Sequence, residues 1–120
     1  MHFRLGDVVE WICDAAADAA QEQGIGVGLV VSINRHEPVE LGLQTVRAAL
    51  DCRERGVVGL DLAGHEMAGF PARAFGPLFL EARQEGLGIT IHAGEWRGPE
   101  NVRDAIEHMH ADRIGHGVRI

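Results

Sequence analysis

From Asp7 to Gly115 the chain alternates segments of helical apolar spacing with short apolar runs, a pattern that calls for a parallel sheet with crossover helices. Val8, Ile12, Ala15, Ala16 and Ala19 define one predicted helix face over residues 7–23, with Gly24 as its stop. Residues 26–33 (GVGLVVSI) form a continuous apolar run, as expected of a strand covered on both faces. Pro38 opens a second predicted helix with Leu43, Val46 and Leu50 inward, closed near Gly56. Residues 57–62 (VVGLDL) make the next strand, and a loop rich in Gly and Pro follows from 63 to 71. Phe75, Leu78, Phe79 and Ala82 mark a third helix ending near Gly86. Residues 88–92 (GITIH) are a third strand. Pro99 begins a fourth helix with Val102, Ala105, Ile106 and Met109 inward, and Arg113 to Gly115 begin a fourth strand.

The predicted order is therefore α-β-α-β-α-β-α-β, in units of roughly 25–30 residues. Alternation alone does not separate a barrel from a doubly wound sheet. No linker or low-complexity tract divides the 120 residues, which fit a single domain. A complete (β/α) barrel needs about 250 residues, so the chain supplies at most half of one. The predicted order opens on a helix and closes as a strand reaches its C-terminal edge. The expectation is one partial barrel domain, residues 1–120, truncated at both ends.

Composition excludes several functions. Hydrophobic residues make up 46% of the chain, enough for a core. Net charge is −7 with no cluster of Lys or Arg, which removes the electrostatic basis for binding nucleic acid or an anionic membrane. A neutral nucleoside remains compatible with that charge. Cys13 and Cys52 both fall in predicted helices with no metal or disulfide spacing, as in a reduced, cytoplasmic protein. No signal peptide and no apolar run near 18 residues is present.

In parallel α/β folds reactive groups gather at the C-terminal strand ends. Three predicted strands end in polar residues: Asp61 with Gly64, His65 and Glu66; His92 with Glu95; and His116 between Gly115 and Gly117. A neutral imidazole at 92 can ligate zinc. A carboxyl three residues on, past a small Ala-Gly turn, can move protons between water and substrate. The plainer alternative is a strand-capping His and a helix-capping Glu. The glycines around His116 suit either close approach of backbone to a ligand or a simple turn. Asp61 interrupts an apolar run, which demands a hydrogen-bond partner. It either ties down a loop or binds substrate. Two apparent metal motifs fail. Position 69 is Gly, so His65-Glu66 does not begin an H-E-x-x-H helix. His108 and His110 flank an inward Met109 and would splay apart.

Three phrases together, VVGLDLAGHE (57–66), TIHAGE (90–95) and RIGHG (113–117), are similar to signatures of the adenosine deaminase family, in the family's order. The opening Gly98-Pro99-Glu100-Asn101 of the following helix is similar too, and the resemblance covers residues 7–120. It implies strands 3 to 6 of a (β/α)8 (TIM) barrel and zinc-dependent hydrolytic conversion of adenosine to inosine and ammonia. Adenine or a modified adenosine is the alternative substrate. By the same resemblance His92 is a zinc ligand, and Glu95 protonates N1 of the purine. His116 orients the attacking water and helps to deprotonate it. The Gly64 backbone N–H binds N3, and Asp61 lines the same substrate edge. The family's His-x-His pair on strand 1 and Asp pair near strand 8 are absent, which leaves one of four zinc ligands. His65 stands where many members carry Asp. These departures imply that the isolated chain is inactive and binds zinc weakly at most. No G-x-G-x-x-G or P-loop supports a nucleotide-binding sheet. A non-catalytic half-barrel that self-associates through exposed strand edges is the remaining alternative.

Overall fold

The computed structural model describes residues 2–67 and 69–120; Met1 and, within the predicted loop 63–71, Ala68 lie outside the described residues. The elements are α1 (Leu5–Gln23), β1 (Leu29–Asn34), α2 (Val39–Asp51), β2 (Val57–Ala63), α3 (Gly76–Gln84), β3 (Gly88–Ala93), α4 (Pro99–Glu107) and β4 (Arg113–His116). Short 3₁₀ turns at Arg53–Arg55 and Ala72–Phe75 lead into β2 and α3.

All four strands are parallel and lie in the order β1-β2-β3-β4. That order has no switch point, and the two faces of the sheet differ. Ile33, Leu60, Leu62, Ile89 and Ile91 are buried with Val46, Phe75, Phe79, Ala82, Ala105 and Met109 of the helical layer. The opposite, concave face is open: Val30 is 52% and Val58 is 54% exposed. A doubly wound sheet carries helices on both faces. One-sided cover and sequential order make this sheet an arc of a (β/α) barrel.

The α3 stripe lies in the core as its spacing predicts, with Phe75, Leu78, Phe79 and Ala82 all buried. The α1 face differs. Val9 and Cys13 are buried and Ala16 and Ala20 half-buried, whereas Ile12 is exposed and Ala15 and Ala19 face solvent. The buried stripe is thus rotated one residue from the predicted one. An alanine-rich helix has little contrast between neighbouring faces, and Cys13 is as good a core residue as Ile12. In α2 Val46 is buried while Leu43 and Leu50 are partly covered; in α4 Ala105 is buried and Ile106 is exposed. β1 begins at Leu29 rather than Gly26, and its register to β2 shifts between Leu29 and Val30. The Val58 side chain crowds the position where a Cβ at Gly28 would stand, at 2.9 Å.

Candidate active site at the strand ends

β3 and β4 deliver the two imidazoles to one rim. His92 is the fifth residue of the six-residue β3, and His116 is the last residue of β4. Their ring centroids are 5.1 Å apart. His116 Nε2 lies 3.4 Å from Glu95 Oε2. With His36, Ala63, Gly64, His65 and Trp96, these three side chains line an open recess of about 390 Å³. The three rim groups singled out in the sequence therefore share one cavity, with Gly64 on its wall.

Local backbone geometry explains the convergence. Gly94 has φ 69°, and a Cβ there would lie 3.0 Å from Val102 and 3.2 Å from the Gly117 backbone. The tight turn lets Gly117 and Val118 donate their N–H groups to the carbonyls of Ala93 and Gly94, at 2.9 and 3.1 Å. The loop bearing Glu95 is thereby stitched to the segment bearing His116. Gly115 has a different role: its absent Cβ leaves room for the His92 ring, whose Nδ1 would be only 3.3 Å away. His116 has φ 72°, a conformation that costs a non-glycine residue free energy.

Asp61 stands behind His92 and outside the recess lining. Its Oδ1 is 2.9 Å from His92 Nδ1, and its Oδ2 accepts from the Ser32 hydroxyl at 3.1 Å. An Asp61 carboxylate that accepts the Nδ1–H hydrogen bond keeps the proton on Nδ1 and the lone pair on Nε2, the tautomer of a metal-ligating histidine. His65 donates its backbone N–H to His36 Nδ1 at 3.3 Å. His108 lies 3.9 Å from Asp104, and the His110 carbonyl accepts from Arg83, both away from the recess.

Two charged residues that sequence reasoning left without a role prove central. Glu66 is 1% exposed and accepts from the backbone N–H groups of Gly94, Glu95, Trp96 and Arg97, at 2.7 to 3.2 Å, and from the Asn101 amide. Burial pushes its carboxyl up. The Trp96 N–H, the Asn101 amide and the Gly94 and Arg97 N–H groups outweigh that effect and hold it below the usual range. Arg35 is 3% exposed and donates to the His92 carbonyl, while its Nε has no partner among the described residues. Burial lowers the Arg35 pKa against the opposing pull of the Glu66 and Asp61 carboxylates. The available signal was positional: Asn34-Arg35-His36 closes an apolar strand just as His65-Glu66 follows one.

Among the described residues no cluster of three His, Cys, Asp or Glu groups could hold a metal ion. His92 fits as one prepared donor, and the described residues do not complete a zinc site around it. No helix among them is long and apolar enough to cross a membrane.

Known proteins are similar to this chain in sequence and in fold. An adenosine deaminase of Yersinia pseudotuberculosis is 42% identical over 112 residues, which are 93% of this chain and 33% of that protein. The adenine deaminase of Arthrobacter aurescens superposes with a TM-score of 0.80 at 27% identity, covering 93% of this chain and 34% of that one. A zinc-bound amidohydrolase of Burkhoderia ambifaria gives 0.78 at 32% identity, covering 87% and 29%. The chain spans about a third of the length of the curated relatives it matches. The family model described as adenosine deaminase matches residues 2–120, so the rim of imidazoles and carboxylates sits on a sequence that belongs to the adenosine deaminase family.

Proposed function

We propose that this chain carries the proton-transfer side of a zinc-dependent hydrolytic deaminase that converts adenosine to inosine and ammonia. The observation that carries the reading is the shared recess: His92, backed by Asp61, beside the His116–Glu95 pair. His92 would supply one zinc ligand through Nε2, and the metal, when bound, acidifies water. Glu95, protonated, gives its proton to N1 and makes C6 electrophilic. His116 takes a proton from water as the oxygen bonds to C6. When the C6–N6 bond breaks, His116 returns that proton to the leaving amine. The C6 hydroxyl proton passes to Glu95, which restores both groups. Gly64 would present its N–H to N3 on the recess wall.

A net charge of −7 without a basic cluster favours a neutral nucleoside or base over a phosphorylated substrate. Adenine and modified adenosines are the competing substrates. Adenosine is assayed by the ultraviolet change on deamination, with the 120-residue chain and with the chain extended by its flanking reading frame. The extended protein should convert adenosine faster than adenine, and Glu95→Gln should lower kcat by about 10²–10⁴. The 120-residue chain should convert none. Turnover by the short chain, or an unaffected Glu95→Gln variant, defeats the reading. The open concave face favours one other role, pairing of two copies. The same preparation run on size exclusion would then elute as a zinc-independent dimer.

A further inference from the structure

Residues 94–97 lie between β3 and α4 without regular secondary structure of their own, yet their four consecutive N–H groups converge on a single carboxylate. Successive backbone N–H groups of this kind form a nest for an anion. Here the anion is internal, delivered from the loop after β2. Glu66 Oε2 accepts from Glu95, Trp96 and Arg97, and Oε1 accepts from Gly94 and Asn101. Arg35 meanwhile holds the His92 carbonyl. The two charged side chains thus grip the backbone on either side of Ala93, between the candidate metal ligand and the candidate acid. Neither lines the recess.

We propose that Glu66 is the positioning residue for Glu95: its carboxylate shapes the 94–97 loop and so sets where the Glu95 carboxyl meets the substrate, with Arg35 fixing His92 on the other side. The assignment rests on reading Glu95 as the proton donor. Charge is essential to the device. A glutamine at 66 has one acceptor oxygen, and it would turn an NH₂ group toward N–H donors. A shorter aspartate keeps the charge and both oxygens.

The test combines amide hydrogen exchange with kinetics on the zinc-loaded protein extended by its flanking reading frame. In Glu66→Gln the amides of 94–97 should exchange about 10–100-fold faster, the loss expected for hydrogen bonds to a charged group. The Ile89 and Ile91 amides should move less than about threefold. kcat should fall by a similar 10–100-fold with KM changed less than twofold, because the substrate-contacting groups remain. Glu66→Asp should recover part of both losses and serves as the readout if the glutamine variant does not fold. Unchanged exchange at 94–97 overturns the proposal. So does a uniform rise that includes Ile89 and Ile91, or an aspartate variant no better than glutamine. If Glu95→Gln leaves the rate intact while the exchange pattern appears as expected, the deaminase reading fails and the loop clamp stands.

Discussion

The two faces of one four-stranded sheet obey different rules. The convex face is apolar and closed: Leu60, Leu62 and Ile91 are fully buried beneath the helices. The concave face carries Ser32, Asp61, Thr90 and His92 and stays accessible around its rim, with Val30 and Val58 open lower down. A parallel strand can serve both faces because successive side chains alternate between them. Leu60 and Leu62 stabilise the fold while Asp61 between them orients a histidine. Fold stability and site chemistry are thereby written on alternate residues of the same strand.

The sharpest way to break this contrast is to cut into the closed face. Phe79→Ala removes a fully buried ring from the centre of the helical layer. A loss of about 3–5 kcal/mol is expected by urea denaturation. The rim geometry of whatever fraction stays folded should be unchanged, read from the imidazole chemical shifts of His92 and His116. A loss under about 1 kcal/mol would mean that the layer is not a packed core.

A smaller effect is expected from Gly115→Ala, on the open face. The new methyl group would press on the His92 ring from about 3.3 Å, where Nδ1 meets Asp61. Stability should fall by about 1 kcal/mol, as for a mildly overpacked site. The larger change should be in the His92 nitrogen shifts, as the Asp61 hydrogen bond lengthens and the tautomer preference weakens. If stability falls by several kcal/mol without any change at His92, the division between the two faces is wrong at this position.

The same division explains what the sequence could disclose. The α3 stripe was legible because two phenylalanines and a leucine stand at helical spacing against polar neighbours. The α1 stripe was misplaced by one residue because alanines give almost no contrast, and Ile12 instead borders an open apolar recess with Val9, Leu29 and Val30. His92, Glu95 and His116 were legible because each closes or follows a strand, and strand ends of a parallel sheet converge. Glu66 and Arg35 were not, because their partners lie 28 to 57 residues away in sequence. A buried charge looks like any loop charge until the backbone it binds is in view. Asp61 stood between two roles in the sequence. Its contacts with His92 and Ser32 put it behind the imidazole and outside the recess lining.

The smallest effect belongs to the opposite end of the sheet, where Asp112 precedes β4. Its carboxylate accepts the Ile89 N–H at 2.8 Å and pairs with Arg83 at 2.8 Å. The Ile89 hydrogen bond, opposed by partial burial and aided by Arg83 and Arg113, holds its carboxyl below the usual range. A depressed folded-state pKa contributes stability above the unfolded value of about 3.9, and that contribution is lost as pH falls through the folded value. The Glu66 shift has the same sign, so both carboxylates steepen the acid limb of a stability–pH curve. Asp112 is nearly half exposed, which screens its share to under about 1 kcal/mol. Asp112→Asn should therefore flatten the acid limb slightly and leave kcat untouched, because no rim group touches Asp112. Glu66→Gln should flatten it more and lower kcat as well. Matching pH curves for the two variants would show that the rim and the far end of the sheet respond to acid alike, and the chemical division between them would then not extend to stability.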